Sequence, residues 1–281
     1  MLFTPHTASF APTVLQPAAR VPTFGPFSHP PSMHLRNLLL ATGLVFTAHA
    51  HGQAPMWAHA LGSTQVDFAY DVATGLNGMV ITAGHFTLTV DLDPGPGTFN
   101  VTSNGSNDVF VQALDSAGGF LWGGSIGAGG ADWAFGVATT AQGEVYVTGR
   151  ASGTVDLDPG PGVDLRTSAN TSFDVFVVKL DPQGAYLWGH LIGGNGNDVG
   201  NDISVDASGR VLIGGVLGAA GDLDPGPGVA TAGGNGQQDA FVLKLDPAGQ
   251  FVWGFAVGGT GNDQAFGVAA DAVDDVFVCG E

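Results

Sequence analysis

The sequence predicts an all-β protein built from one repeated antiparallel unit, and three observations carry that reading. The heptapeptide Asp-Leu-Asp-Pro-Gly-Pro-Gly recurs at Asp91–Gly97, Asp156–Gly162 and Asp222–Gly228, spaced by 65 and then 66 residues. Trp57, Trp122, Trp188 and Trp253 keep the same beat. Between these landmarks lie apolar runs of roughly five to eight residues, bounded by Gly, Pro, Asn and Asp, which is the pattern of short strands. No window holds the 3.6-residue periodicity of a helix, and 46 glycines make one unfavourable. A period shared by unrelated landmarks means one structural unit copied along the chain.

Cut at each tryptophan, the chain gives units 57–121, 122–187 and 188–252 and a partial unit 253–281. The third unit illustrates the order of elements. A tryptophan strand, Trp188-Gly-His-Leu-Ile, is followed by a Gly/Asn/Asp stretch and the short segment Asn201-Asp-Ile-Ser-Val. Asp206-Ala-Ser-Gly209 then turns the chain into Arg210-Val-Leu-Ile-Gly-Gly-Val. The heptapeptide and a polar loop lead to Asp239-Ala-Phe-Val-Leu-Lys-Leu, and Asp246-Pro-Ala-Gly249 turns back toward Trp253. Proline sets φ near −65° in that last turn and glycine accepts a positive φ.

Four strands joined by hairpins and one longer loop match one blade of a β-propeller, one blade per unit of roughly 65 residues. Phe110, Phe176 and Phe241 share a slot, and Leu114, Leu180 and Leu245 another four residues on, so both point to one side of a strand. They are expected between blades. The units present amount to about three and a half blades, short of the ~4–8 that close a ring, so the chain is expected to be the beginning of a longer protein.

Segments such as Gly193-Gly-Asn-Gly-Asn-Asp-Val-Gly-Asn-Asp-Ile-Ser-Val-Asp-Ala-Ser-Gly and Asp239-Ala-Phe-Val-Leu-Lys-Leu-Asp-Pro-Ala-Gly resemble the SBBP-type β-propeller repeats of secreted bacterial proteins. The Asp-x-Asp-Pro-Gly insertion is similar to repeats in large surface proteins of Bacteroidetes-like bacteria, many of which end in a type IX secretion sorting domain. The resemblance covers 57–281. It implies a propeller on an exported protein and almost nothing about ligand or activity.

The N-terminus agrees with export. From Met33 the sequence reads Met-His-Leu-Arg-Asn, an apolar run Leu38–Phe46 and Ala48-His-Ala50, which is the layout of a signal peptide over 33–54. That run is too short to span a bilayer, which needs ~20 residues. Residues 1–32 are proline-rich and acid-free, and are read as a disordered stretch upstream of the true start at Met33. The expected location is therefore secreted or on the outer cell surface. With 25 acids against 7 bases and a net charge of −18, the surface repels phosphate and anionic lipid, which argues against nucleic-acid partners. Cys279 stands alone, so the fold carries no internal disulfide.

Candidate chemistry is sparse. Asp91 and Asp93, Asp156 and Asp158, and Asp222 and Asp224 place paired carboxylates beside Gly and Pro carbonyls, a hard-oxygen arrangement that suits Ca²⁺. The loops lack a third acid and a terminal bidentate glutamate, so the alternative is a rigid turn with the Asp side chains capping backbone N–H groups. Asp67, Asp132, Asp198 and Asp263 form a second recurrent acidic slot, and Asp108, Asp174 and Asp239 a third; both read as turn or strand-entry caps. A feature copied into every blade is architecture first, so function is sought where units differ. Trp133 stands where the other units have Phe68, Val199 and Gln264, and it could be a stacking platform for a sugar. His85, His190, Arg150 and Arg166 are singular. No nucleophile elbow, Cys-x-x-Cys or phosphate-binding loop occurs. The expected function is a non-enzymatic scaffold or binding module for extracellular glycans or proteins. The alternative is a propeller-borne polysaccharide lyase or hydrolase with its active site in further blades.

Overall fold

A computed structural model describes residues 57–281. The expected signal peptide over 33–54 and the stretch before Met33 lie outside the described residues. Apart from two 3₁₀ turns at Leu76–Gly78 and Ala169–Thr171, the regular structure is β, arranged as successive antiparallel sheets.

The first sheet runs Phe68–Thr74, Val80–Phe86, Asp108–Leu114 and Phe120–Ala128, each strand paired with the next. Trp133–Thr139, Val145–Ser152, Phe173–Leu180 and Tyr186–Gly194 form the second in the same order. The third is Val199–Val205, Val211–Leu217, Asp239–Leu245 and Phe251–Val257. Ala265–Ala270 and Val276–Gly280 make a final two-stranded piece. One four-stranded sheet per repeat is what the period predicted, and no barrel closes among the described residues. The phase differs from the cut at each tryptophan, because the Trp122 strand is the last of the first sheet. A period fixes the length of a unit but not where its sheet begins.

The core lies between sheets. One cluster joins Ile81, Val109, Val111 and Ile126 of the first sheet to Val145, Val147, Phe176 and Leu180 of the second. Another joins Tyr146, Val175 and Val177 to Ile213, Phe241 and Leu245 of the third. Phe110, Phe176 and Phe241 are all buried; Phe176 and Phe241 lie in these inter-sheet clusters, whereas Phe110 packs with Phe86, Val90 and Leu92 of its own unit. Aromatic side chains at such a joint each remove ~150–250 Å² from water, which makes them the largest single contributors to sheet-on-sheet packing.

Two repeated devices tie each sheet to its neighbour. The first is the tryptophan. The indole N–H of Trp122 donates to the Pro182 carbonyl at 3.0 Å and that of Trp188 to the Pro247 carbonyl at 3.2 Å, in each case into a turn of the following sheet. Trp57 makes the same bond to Ser116 at 3.1 Å. Gly184 sits against the Trp122 ring at φ +83°, so the turn requires glycine both for its backbone and for the ring's approach.

The second device is the heptapeptide. It forms the tip of a small hairpin, Thr154–Asp156 with Leu165–Thr167, that pairs with the outer strand of the preceding sheet through Gly127↔Asp156 and Ala128↔Val155. The hairpin Gly221–Asp222 with Thr231–Ala232 does the same to Tyr186–Gly194. Leu92, Leu157 and Leu223, the central residues of Asp-Leu-Asp, are fully buried and anchor each hairpin in a core cluster. Strand alternation sends the leucine inward and both carboxylates outward. The second and third copies of the motif are thus clasps between adjacent sheets, while the first hairpin, Thr89–Asp91 with Asn100–Thr102, pairs only with itself among the described residues.

The first strand of each sheet bulges, with register shifts between Ala69 and Asp71, Ala134 and Gly136, Gly200 and Asp202, and Ala265 and Gly267. Opposite each bulge a glycine of the second strand, Gly84, Gly149, Gly215 or Gly280, lets the carbonyl of Phe68, Trp133, Val199 or Gln264 lie over its α-carbon. Glycine in a strand interior marks such a close backbone approach. Among the described residues no helix is long and apolar enough to cross a membrane.

Candidate functional site

The Asp-x-Asp loops are consumed locally. Asp156 Oδ1 accepts the N–H of Asp158 at 3.1 Å and, across the hairpin, that of Asp164 at 2.8 Å; Asp158 Oδ1 accepts Gly160 N–H at 2.8 Å. Asp91 takes the N–H groups of Asp93 and Phe99, and Asp93 that of Gly95. Asp222 takes those of Asp224 and Ala230, and Asp224 that of Gly226. These are Asx turns, in which a short carboxylate satisfies its own backbone two residues on. Among the described residues no group of three or more His, Cys, Asp or Glu side chains converges as a metal site.

The other recurrent acids are caps, buried at Asp108, Asp132, Asp174, Asp198 and Asp239 and half-buried at Asp67 and Asp263. Asp132 accepts the N–H groups of Ala128 at 3.3 Å and Ser152 at 3.1 Å, and Asp198 those of Gly194 at 2.7 Å and Gly218 at 2.8 Å. Asp108 accepts Asn104 N–H and Asp174 accepts Ala169 N–H, both at 2.9 Å. Burial pushes Asp132 and Asp174 up to about 7, against the pull of those N–H groups; Asp108 adds to the rise at Asp132, and Asp198 to that at Asp174. Loss of hydration penalises the charged carboxylate more than the bonds restore.

The blade-specific residues behave differently. The cross-strand pair Phe68↔His85 of the first sheet faces the pair Trp133↔Arg150 of the second. His85 stacks on the Trp133 indole, with centroids 4.8 Å apart and planes at 19°. The Arg150 guanidinium carbon lies 3.9 Å from the Trp133 ring centroid and 4.2 Å from that of Phe173. Phe68 and Tyr70 pack against the other members at 5.2 and 5.6 Å from His85 and remain exposed to solvent. An indole carrying both an imidazole and a guanidinium is engaged within the joint rather than standing as a lone platform.

Three polar atoms of this joint are buried without a hydrogen-bond partner: His85 Nδ1, Trp133 Nε1 and Arg150 Nε. A buried donor or acceptor left unmade costs ~1–3 kcal/mol, and this stack holds three of the six such atoms among the described residues, the others being Thr87 Oγ1, His190 Nε2 and Asp239 Oδ1. Burial holds His85 below the ordinary imidazole range, Asp67 pulling the other way and Arg150 adding to the drop. Arg150 is also lowered by burial, yet a guanidinium starts high enough to stay charged at neutral pH.

Of the residues singled out in sequence, the fold therefore brings together His85, Trp133 and Arg150 and leaves the rest apart. Arg166 pairs with Asp164 at 2.9 Å on the surface. His190 stacks on Trp188 at 5.2 Å, just as His59 stacks on Trp57 at 5.3 Å, so its slot is not singular. Phe173, Phe68 and Tyr70 were not picked out. The available signal was that positions 68/133 and 85/150, two slots facing each other across a strand pair, both change character between units.

No family model matches the chain. A similarity of 24% identity over 237 residues, 74% of this chain, relates it to an uncharacterized WD repeat-containing protein of Acanthamoeba polyphaga mimivirus. The match spans 17% of that protein's length. The SBBP-type resemblance rests on the quoted residues alone, while the four-stranded antiparallel sheets and the likeness to a WD-repeat protein together support a β-propeller-like repeat architecture.

Proposed function

We propose that the chain is an exported, non-enzymatic binding module whose ligand contact lies at the joint between its first two sheets, and whose ligand is a glycan. The observation that carries this reading is the contrast between repeated and unique polar groups. The recurrent Asp-x-Asp, Asp132/Asp198 and Asp108/Asp174 carboxylates accept backbone N–H bonds, with Asp239 Oδ1 the one left over, whereas the blade-specific His85, Trp133 and Arg150 gather three buried atoms without partners in one stack. Aromatic rings beside fixed donors suit a sugar, which offers apolar C–H faces and hydroxyl edges at once.

Oligosaccharide panels applied to the immobilised full chain test this. Saturable binding is expected, reduced at least tenfold by Trp133→Phe in protein that still unfolds cooperatively. No new reducing ends or unsaturated uronates are expected over prolonged incubation. Product formation would replace the module with a lyase or hydrolase, and binding unaffected at Trp133 would move the site elsewhere.

Export is supported by the basic, apolar and Ala-x-Ala sequence from Met33 to Ala50. The mature protein is expected to begin near His51 or Pro55. Mass spectrometry that recovers peptides from residues 1–32 in the exported form would overturn the upstream-start reading.

A further inference from the structure

We propose that Arg150, with the indole N–H of Trp133 and Nδ1 of His85, forms a subsite for a single carboxylate on an otherwise neutral glycan. The proposal rests on the reading of this joint as the ligand contact and names the chemistry that it selects.

Charge is the first argument. The described residues contain five Lys or Arg side chains, and four of them sit against acids. Arg166 pairs with Asp164, Lys179 with Glu144 at 2.8 Å, Arg210 with Asp206 and Asp274 at 2.8 Å, and Lys244 with Asp206 at 3.2 Å. Arg150 alone among them has no acid partner, in a chain that carries 25 acids and a net charge of −18. A cation kept apart from so many intramolecular carboxylates is available to one from outside.

Geometry is the second. Trp133 and Phe173 lie against the guanidinium at 3.9 and 4.2 Å, and rings at that distance cover its faces. What remains is the edge, where the N–H donors lie in plane, and a guanidinium edge matches the two oxygens of a carboxylate. Arg150 Nε is buried without a partner, as are Trp133 Nε1 and His85 Nδ1 of the same stack. Stacking also fixes the guanidinium before the ligand arrives, which lowers the ordering entropy that binding must overcome.

The third argument selects the carrier. A polyanion would meet the field of the whole acidic surface and be repelled, whereas one carboxylate on a neutral sugar meets only its subsite. Phe68 and Tyr70, 47% and 43% exposed and stacked on each other at 5.7 Å, flank His85 and offer an apolar face to a pyranose ring.

Isothermal titration of the full chain with glucuronate, glucose and acetate, at pH 7 and low salt, tests the proposal. Glucuronate is expected to bind at least tenfold more tightly than glucose. Arg150→Gln should erase that preference, bringing glucuronate binding down to the level of glucose in the same variant. Arg150→Lys, which keeps the charge and loses the fork, should retain only part of it and serves if the glutamine variant fails to fold. Equal binding of glucuronate and glucose, or full glucuronate affinity in both variants, would sink the carboxylate subsite and leave the glycan reading standing. Acetate binding that depends on Arg150, with no sugar bound, would keep the subsite and remove the glycan. Absence of all three would overturn the proposal.

Discussion

Gly149→Ala is expected to destabilise the protein by about 3 kcal/mol or more, enough to remove a large part of the stability of a domain this size. A Cβ at this position would fall 2.8 Å from the Ala134 α-carbon and 2.9 Å from Phe176 Cε1, and would overlap the Trp133 carbonyl oxygen. Two of those neighbours are backbone, held in register by the ladder between Trp133–Thr139 and Val145–Ser152. The third is a fully buried ring at the centre of the inter-sheet core. None can swing aside as an exposed side chain could, so the bulge must flatten or the second strand must shift. Either change also moves Trp133 and Arg150, which pair across the same two strands. Gly129→Ala is the control, because nothing lies within 4 Å of a Cβ there, and it should stay within about 0.5 kcal/mol of wild type. Chemical denaturation of the two variants separates a specific steric requirement from a general loss of glycine. Similar midpoints for both would show that the bulge adapts.

The glycine argument marks where sequence reasoning reached and where it stopped. Strand content, the spacing of sheets and the burial of Phe110, Phe176 and Phe241 were legible, because alternation and a fixed period are written directly in residue order. The boundary of each sheet was not, since a repeat can be cut anywhere within its period and only hydrogen bonding decides that Trp122 closes one sheet. The clasp was hidden for a related reason. Asp156 and Val155 pair with Gly127 and Ala128, and nothing local in Asp-Leu-Asp-Pro-Gly-Pro-Gly specifies that partner. At the candidate site, His85, Trp133 and Arg150 each stood out as departures from the repeat. Their assembly into one stack depends on cross-strand register and on the approach of two sheets, and Phe173 joins only because it flanks Arg150 from a third strand.

Raising the pH from about 4 to about 7 is expected to lower the melting temperature, opposite to the common behaviour of proteins stabilised by ionised carboxylates. Asp132 and Asp174 ordinarily titrate near 3.8, as they would in the unfolded chain, and are pushed up to about 7 by burial in the fold. Below about 3.8 both states hold the proton and the folded state has its full advantage. Between 3.8 and about 7 the unfolded chain has lost the proton while the fold retains it, so each added pH unit favours unfolding. Above about 7 both states are ionised and the loss is complete, on the order of a few kcal/mol per carboxyl. Burial also raises Asp108, Asp198 and Asp202, which adds to the same slope. His85 and His190 are lowered and act the other way, since their contribution is present above about 6.5 and fades below it. Asp206 is lowered to about 2, so its contribution is lost only in stronger acid, outside this window. Asp132→Asn and Asp174→Asn should each flatten the slope. Their absolute melting temperatures at pH 4 should fall, because an amide nitrogen replaces an oxygen acceptor in a cap. The slope is therefore the readout. A wild-type melting temperature that holds or rises from pH 4 to 7, or variants that keep the full slope, would show that the N–H groups around these carboxylates outweigh their burial.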